Sequence, residues 1–276
     1  MKGYAMGQIV ELEDYKNKKK KIQDLKKNLE DLIFERDNLL YVVCENIQTS
    51  YMLTFGSLTY RVNKAFNDYL RLRRKKSLIQ ARINRQEKID LGEIETKLDK
   101  EFHEYKEKLQ DTISQLKAAL EHSRAKALSE EDTALIKKIY KKIVKKIHPD
   151  INPNITDKEK RLFVASTESY KNGDLNTLQV IYTIVTSGET EDDESLSLKS
   201  MEDEIERLED LLRKIKSSIG TIKSIPPYTW RIYVEDEEKK AEKLNDLKER
   251  LKAYKQAIRT QEEYIKELLE DKKWLI

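Results

Sequence analysis

The chain has 276 residues, of which 38% are charged and 38% hydrophobic, with seven glycines and four prolines. That balance, rich in Lys, Glu, Leu and Ile, leaves too little apolar material for one large globular core and is the composition of long amphipathic helices and coiled coils. The net charge of +3, from 54 basic and 51 acidic residues, gives no general reason to expect nucleic acid. A single cysteine, Cys44, rules out an intramolecular disulfide and fits a reducing compartment. No stretch approaches the ~18 apolar residues of a membrane span, and the N-terminus has no apolar signal core. The expectation is a soluble, cytoplasmic, all-α protein of elongated shape.

From about Leu12 to Asn46, Ile22, Leu25, Leu29, Leu32, Leu39 and Val43 recur at alternating spacings of three and four, interrupted by Arg36. The spacing predicts a helix of roughly 50 Å. Gln48-Thr49-Ser50 and Gly56 predict a turn near Asn46–Gly56. A second helix follows from about Ser57 to Asn84, and a third from about Leu91 to Lys126. The short connection at Arg85–Asp90 predicts that these two lie antiparallel.

Ser129-Glu-Glu-Asp132 starts another helix, with a serine cap and first-turn acids. Along it Ile136, Ile139, Tyr140, Ile143 and Ile147 form one stripe, and Lys137, Lys138, Lys141, Lys142, Lys145 and Lys146 occupy the rest. It ends at His148-Pro149-Asp150, because proline cannot continue a helix and biases the preceding residue toward extended dihedrals. Thr156 or Asp157 can cap the next helix, which Asn172-Gly173 stops, and a short helix runs from about Asp174 to Val185. Residues 187–197 read as an acidic linker. Beyond it a helix through Met201, Ile205, Leu208, Leu212, Ile215 and Ile219 is expected to turn back at Pro226-Pro227, with Tyr228 and Trp230 stapling the turn. The return helix carries the seam Leu244, Leu247, Leu251, Tyr254, Ile258, Gln261, Ile265 and Leu268. That seam fits its own upstream helix or a second copy of the chain.

Six lysines with no acid among them repel one another at i,i+4 spacings. An uncompensated face of this kind points to a partner with an acidic surface. On residues alone, the turn also reads as a simple helix stop capped by His148 or Asp150, and the lysines as a solvated or phosphate-binding face. Arg71, Arg73, Arg74, Lys75 and Lys76 form a second basic cluster, read as a solvated helix face or an anionic-surface contact. No glycine-rich phosphate loop, nucleophile elbow or Cys/His cluster is present. Hence no catalytic residue, metal or cofactor is expected, and no enzyme.

The stretch from Leu135 to Asp150 resembles the second helix and loop of the J-domain of DnaJ-like co-chaperones, and Phe163-Val-Ala-Ser-Thr-Glu-Ser-Tyr170 resembles the start of its third helix. The resemblance covers residues 129 to 185. It departs from the family pattern at Ile147, where a tyrosine is usual, and in having no recognisable first helix. The long helix ending near Lys126 is expected to pack in that helix's place. The resemblance implies docking on a DnaK-type heat-shock ATPase and stimulation of its ATP hydrolysis. The docking surface would be His148, Pro149 and Asp150 with Lys137, Lys138, Lys141, Lys142, Lys145 and Lys146, and Ile136, Tyr140, Ile143, Phe163 and Tyr170 would support the module.

The expected organisation is therefore a long-helix bundle over 1–128, a shortened J-domain-like module over 129–186, a linker over 187–197 and a helical hairpin over 198–276. In such a co-chaperone the hairpins bind a client or an assembly. The alternative is a structural or adaptor coiled-coil protein that keeps a J-like fold without stimulating an ATPase.

Overall fold

The computed structural model describes residues 3–124, 128–186 and 198–271, with side chains in the first helix described from Glu13 onward. All regular structure among these residues is helical. In chain order the helices are α1 (Gly3–Asn38), α2 (Cys44–Tyr51), α3 (Ser57–Asn84), α4 (Leu91–Glu101), α5 (His103–Arg124), α6 (Glu130–Ile147), α7 (Asp157–Asn172), α8 (Leu175–Thr186), α9 (Leu198–Ser224), α10 (Arg231–Glu235) and α11 (Glu237–Glu270). The contacts divide the chain into two compact units. One comprises Met1–Glu45 and Lys126–Thr229, the other Asn46–Ala125 and Trp230–Ile276. Each unit is thus built from two separated stretches, a division that differs from the four consecutive segments expected from the sequence. The expected linker at 187–197 lies outside the described residues.

The predicted turn at Asn46–Gly56 is not there. Two π-helical segments, Leu39–Val43 and Met52–Gly56, join α1, α2 and α3 with helical dihedrals throughout. A π segment accommodates an extra residue without ending the helix and rotates the buried face. Ile47, Met52 and Phe55 are buried in this stretch, so apolar packing outweighs the turn preference of Gln48-Thr49-Ser50. Gly56 serves close approach: a Cβ there would lie 3.0 Å from Met52 Cε and 3.3 Å from Leu116 Cδ1 of α5.

In the first unit α9 runs parallel to α1. Lys18 pairs with Glu202 at 2.9 Å and Glu35 with Lys223 at 2.7 Å, so both helices advance in the same direction. Leu29 and Ile33 of α1 and Leu208, Leu212, Ile215 and Ile219 of α9 share one buried cluster with α6, α7 and α8. Helix α1, with the π segment after it, takes the place that the sequence assigned to the helix ending near Lys126. That later helix belongs to the second unit.

In the second unit α11 runs parallel to α3, with the Phe66 and Tyr254 rings 5.2 Å apart and Lys76 4.3 Å above the Tyr264 ring. Trp230 stacks on Tyr51 at 4.3 Å. Helices α9 and α11, expected as one hairpin over 198–276, belong to different units, and each finds its apolar partner within its own, α1 for α9 and α3 for α11. The seam of α11 is as predicted in most positions, with Leu247, Leu251 and Ile265 buried, but its partner is α3. Helix α4 is antiparallel to α3, as Arg71–Asp99 (3.0 Å) and Arg82–Glu93 (2.6 Å) show. Phe102 separates α4 from α5, where one helix was expected.

Candidate functional site: the lysine helix and the His-Pro-Asp turn

Local sequence sets the boundaries of the α6–α7 hairpin. Ser129 Oγ accepts the Asp132 amide at 2.9 Å and starts α6, with Glu130, Glu131 and Asp132 in the favourable first turn. Pro149 holds His148 in extended dihedrals (φ −71°, ψ 127°) and ends it. The Asn152 side-chain amide then donates to the carbonyls of Lys145 (3.0 Å) and Lys146 (2.9 Å), satisfying two acceptors that the helix end leaves open. Thr156 and Glu159 form a capping box at the start of α7. Gly173, at φ +68°, closes α7 in the left-handed conformation.

Behind the hairpin, Ile136, Tyr140, Ile143 and Ile147 of α6 are buried together with Tyr170 of α7. The rings of Tyr140 and Tyr170 stack at 4.1 Å with a 10° tilt. The Tyr140 hydroxyl donates to Asp37 Oδ2 at 2.8 Å, and the Tyr170 hydroxyl donates to Asn38 Oδ1 at 3.1 Å. Asp37 is itself buried, and its Oδ1 accepts from both Nε and Nη2 of Arg36. Burial pushes both phenols well above the ordinary tyrosine range, so they remain neutral donors. The sequence marks Tyr140 and Tyr170 as supports and Arg36 as a break in the apolar stripe of α1, but nothing in its spacing joins them to Asp37 and Asn38.

His148 is only 4% exposed. The Phe163 ring meets it edge-on at 4.7 Å, and its Nδ1 accepts the Asp150 amide at 3.0 Å. Burial holds its pKa below the ordinary histidine value, against the opposing pull of Asp150. An Nδ1 that accepts a hydrogen bond carries no proton, so the ring is neutral with hydrogen on Nε2. His148 is thereby a brace of the turn, while Pro149 and Asp150 are half-exposed. The Asp150 carboxylate makes no salt bridge with any described residue. Its backbone carbonyl accepts from Arg207 Nη1 of α9 at 3.0 Å, which ties the turn to a second helix.

The lysines fall into groups. Lys138, Lys141, Lys142 and Lys145 are exposed, and Lys137 and Lys146 are half-buried. Lys141 reaches Asp31 at 2.5 Å and Lys145 reaches Glu30 at 3.7 Å, both on α1. Lys142 Nζ lies 5.1 Å from the Tyr182 ring centre on α8 and donates to its hydroxyl at 3.3 Å. Part of the acidic surface that the lysine face called for is therefore supplied by α1 itself. Burial raises the Glu30 pKa, with Lys145 pulling the other way.

The second basic cluster is matched more fully. Arg71 pairs with Glu95 and Asp99, Arg74 with Glu101, and Lys75 with Glu95, all on α4. Among the described residues there is no group of three or more His, Cys, Asp or Glu placed to hold a metal ion. No helix among them is long and apolar enough to cross a membrane. Compared with family models, curated proteins and solved structures, the chain matches none.

Proposed function

We propose that the α6–α7 hairpin is a docking module for a DnaK-type heat-shock ATPase, and that the protein stimulates the ATP hydrolysis of that partner. The reading rests on the resemblance of residues 129–185 to a J-domain. The observation that carries it is the half-exposed Asp150 carboxylate, which makes no salt bridge with a described residue and stands at the end of a helix on which Lys138, Lys141, Lys142 and Lys145 are exposed. An acidic partner surface would compete with Asp31 for Lys141 and with Glu30 for Lys145, and meet Lys138 directly. Such rim charges steer association more than they set final affinity. His148 acts from behind, by fixing the turn, so Asp150 is the residue whose change leaves the fold intact and removes the contact. Steady-state ATPase assays of the cognate chaperone test the reading. Stimulation lost in Asp150→Asn supports it; no stimulation by the natural chain removes it.

A second reading is favoured by the burial of His148 and the pairing of Lys141 and Lys145 within the chain. In it the hairpin is a joint that braces α1 and α9 in an adaptor protein, and Asp150→Asn changes neither partner binding nor assembly.

A further inference from the structure

Acids of the same chain pair with Arg71, Arg74 and Lys75 and with Lys141 and Lys145 of the lysine helix, whereas a third set of cations has no such partner among the described residues. In the second unit, a cleft of about 760 Å³ runs between α3 and α11, lined by Leu58 and Arg61 on one side and by Lys248, Leu251, Lys252, Lys255 and Arg259 on the other. None of these five cations makes a salt bridge with a described residue, and Glu249 is the one acidic residue lining the cleft. Lys248, Lys252, Lys255 and Arg259 follow one another at i, i+4, i+7 and i+11, the spacings at which like charges on a helix repel. Elsewhere this chain answers such rows with acids, as α4 does for Arg71, Arg74 and Lys75. Here the row stands open beside half-buried Leu58 and exposed Ala253, while Leu251 is already covered in the α3–α11 seam.

We propose that this cleft docks an acidic amphipathic helix of a partner protein, as a third helix beside α3 and α11. The row from Lys248 to Arg259 spans roughly 16 Å, about three helical turns, and acids on one face of an incoming helix repeat with the same period. The apolar floor selects a helix over a phosphate chain. A helix can set leucines on Leu58 and Ala253 while its glutamates meet the cations, whereas a nucleic-acid backbone has nothing to bury there.

The test uses the full chain and a labelled synthetic helix with glutamates at i, i+4, i+7 and i+11 and leucines on the adjoining face, followed by fluorescence anisotropy. Control peptides replace the glutamates by glutamine or the leucines by serine, and a single-stranded oligonucleotide of equal charge is run in parallel. The expected result is saturable binding that weakens by about tenfold or more with either control peptide and with Lys252→Glu/Lys255→Glu, the size of loss that removing well-placed charge contacts produces. Circular dichroism establishes that the double variant is folded, and Lys252→Gln/Lys255→Gln gives a milder loss in the same direction. Absent binding, indifference to charge reversal, indifference to the serine replacements, or tighter binding of the oligonucleotide would each overturn the proposal.

Discussion

The hydroxyl of Tyr140 donates to a carboxylate oxygen of Asp37 at 2.8 Å across 103 residues of sequence, inside the buried centre of the first unit. This bond joins the lysine helix to α1 at the point where Arg36 neutralises the same carboxylate. Replacing Tyr140 by phenylalanine keeps the stack on Tyr170 but leaves a buried carboxylate one donor short. Equilibrium unfolding in urea should show a loss of about 1–3 kcal/mol, the cost of an unsatisfied buried polar group. Unchanged stability would mean that the bond contributes nothing.

His148 gives stability a pH dependence of defined sign. Its folded pKa lies below the 6.5 of the free side chain because burial disfavours the charged ring. As pH falls, the unfolded chain takes up the proton first, so the contribution of His148 is complete above that ordinary value and is lost as pH drops below it. Unfolding free energies measured from about pH 8 to about pH 5 should decline through this window, and His148→Gln should flatten that part of the decline. A slope identical in the variant would assign the effect to other groups.

Arg207 should control the mobility of the turn. Its guanidinium holds the Asp150 carbonyl from outside the hairpin and is itself oriented by Glu204. Arg207→Ala should speed amide exchange at Ile151 and Asn152, whose N–H groups both bond to the His148 carbonyl. Protection at Leu178, deep in the same cluster, should not change.

Two glycines test the local readings. Gly173→Ala forces a side chain into left-handed dihedrals, with its Cβ 2.8 Å from Leu128 Cδ1. The strain should cost about 1–2 kcal/mol in thermal unfolding. Gly56→Val overfills the contact with Met52 and Leu116 and should cost about 1–3 kcal/mol. Were Gly56 a turn residue, the larger side chain would meet open space.

What the sequence made legible was whatever depends on near neighbours. Ser129, Pro149, Thr156 and Gly173 act within a few residues of themselves; each limits its helix where the pattern says, with Thr156, not Asp157, as the cap. The buried stripe of α6 was equally plain, because Ile136, Tyr140, Ile143 and Ile147 share one face. Pairing between distant helices was not legible. The seams of α9 and α11 look the same whichever helix receives them, and only the folded chain shows that α1 and α3 do. Helix α2 was hidden for a related reason: Gly56 and the polar run before it carry turn propensity, while the partners that override it, Leu116 against Gly56 and Leu247 and Leu251 with Phe55, lie far along the chain. The Arg36–Asp37–Tyr140 knot required contacts no periodicity encodes.

Asp150, presented by this turn, is proposed to act on a DnaK-type ATPase. Single-turnover ATP hydrolysis by the cognate chaperone, with and without the full chain, measures this action most directly. Hydrolysis should be faster with the natural chain and stay at the unstimulated rate with Asp150→Asn, whose melting temperature should match the natural chain's. Equal rates with the natural chain and the variant, or no acceleration by either, would contradict the proposal.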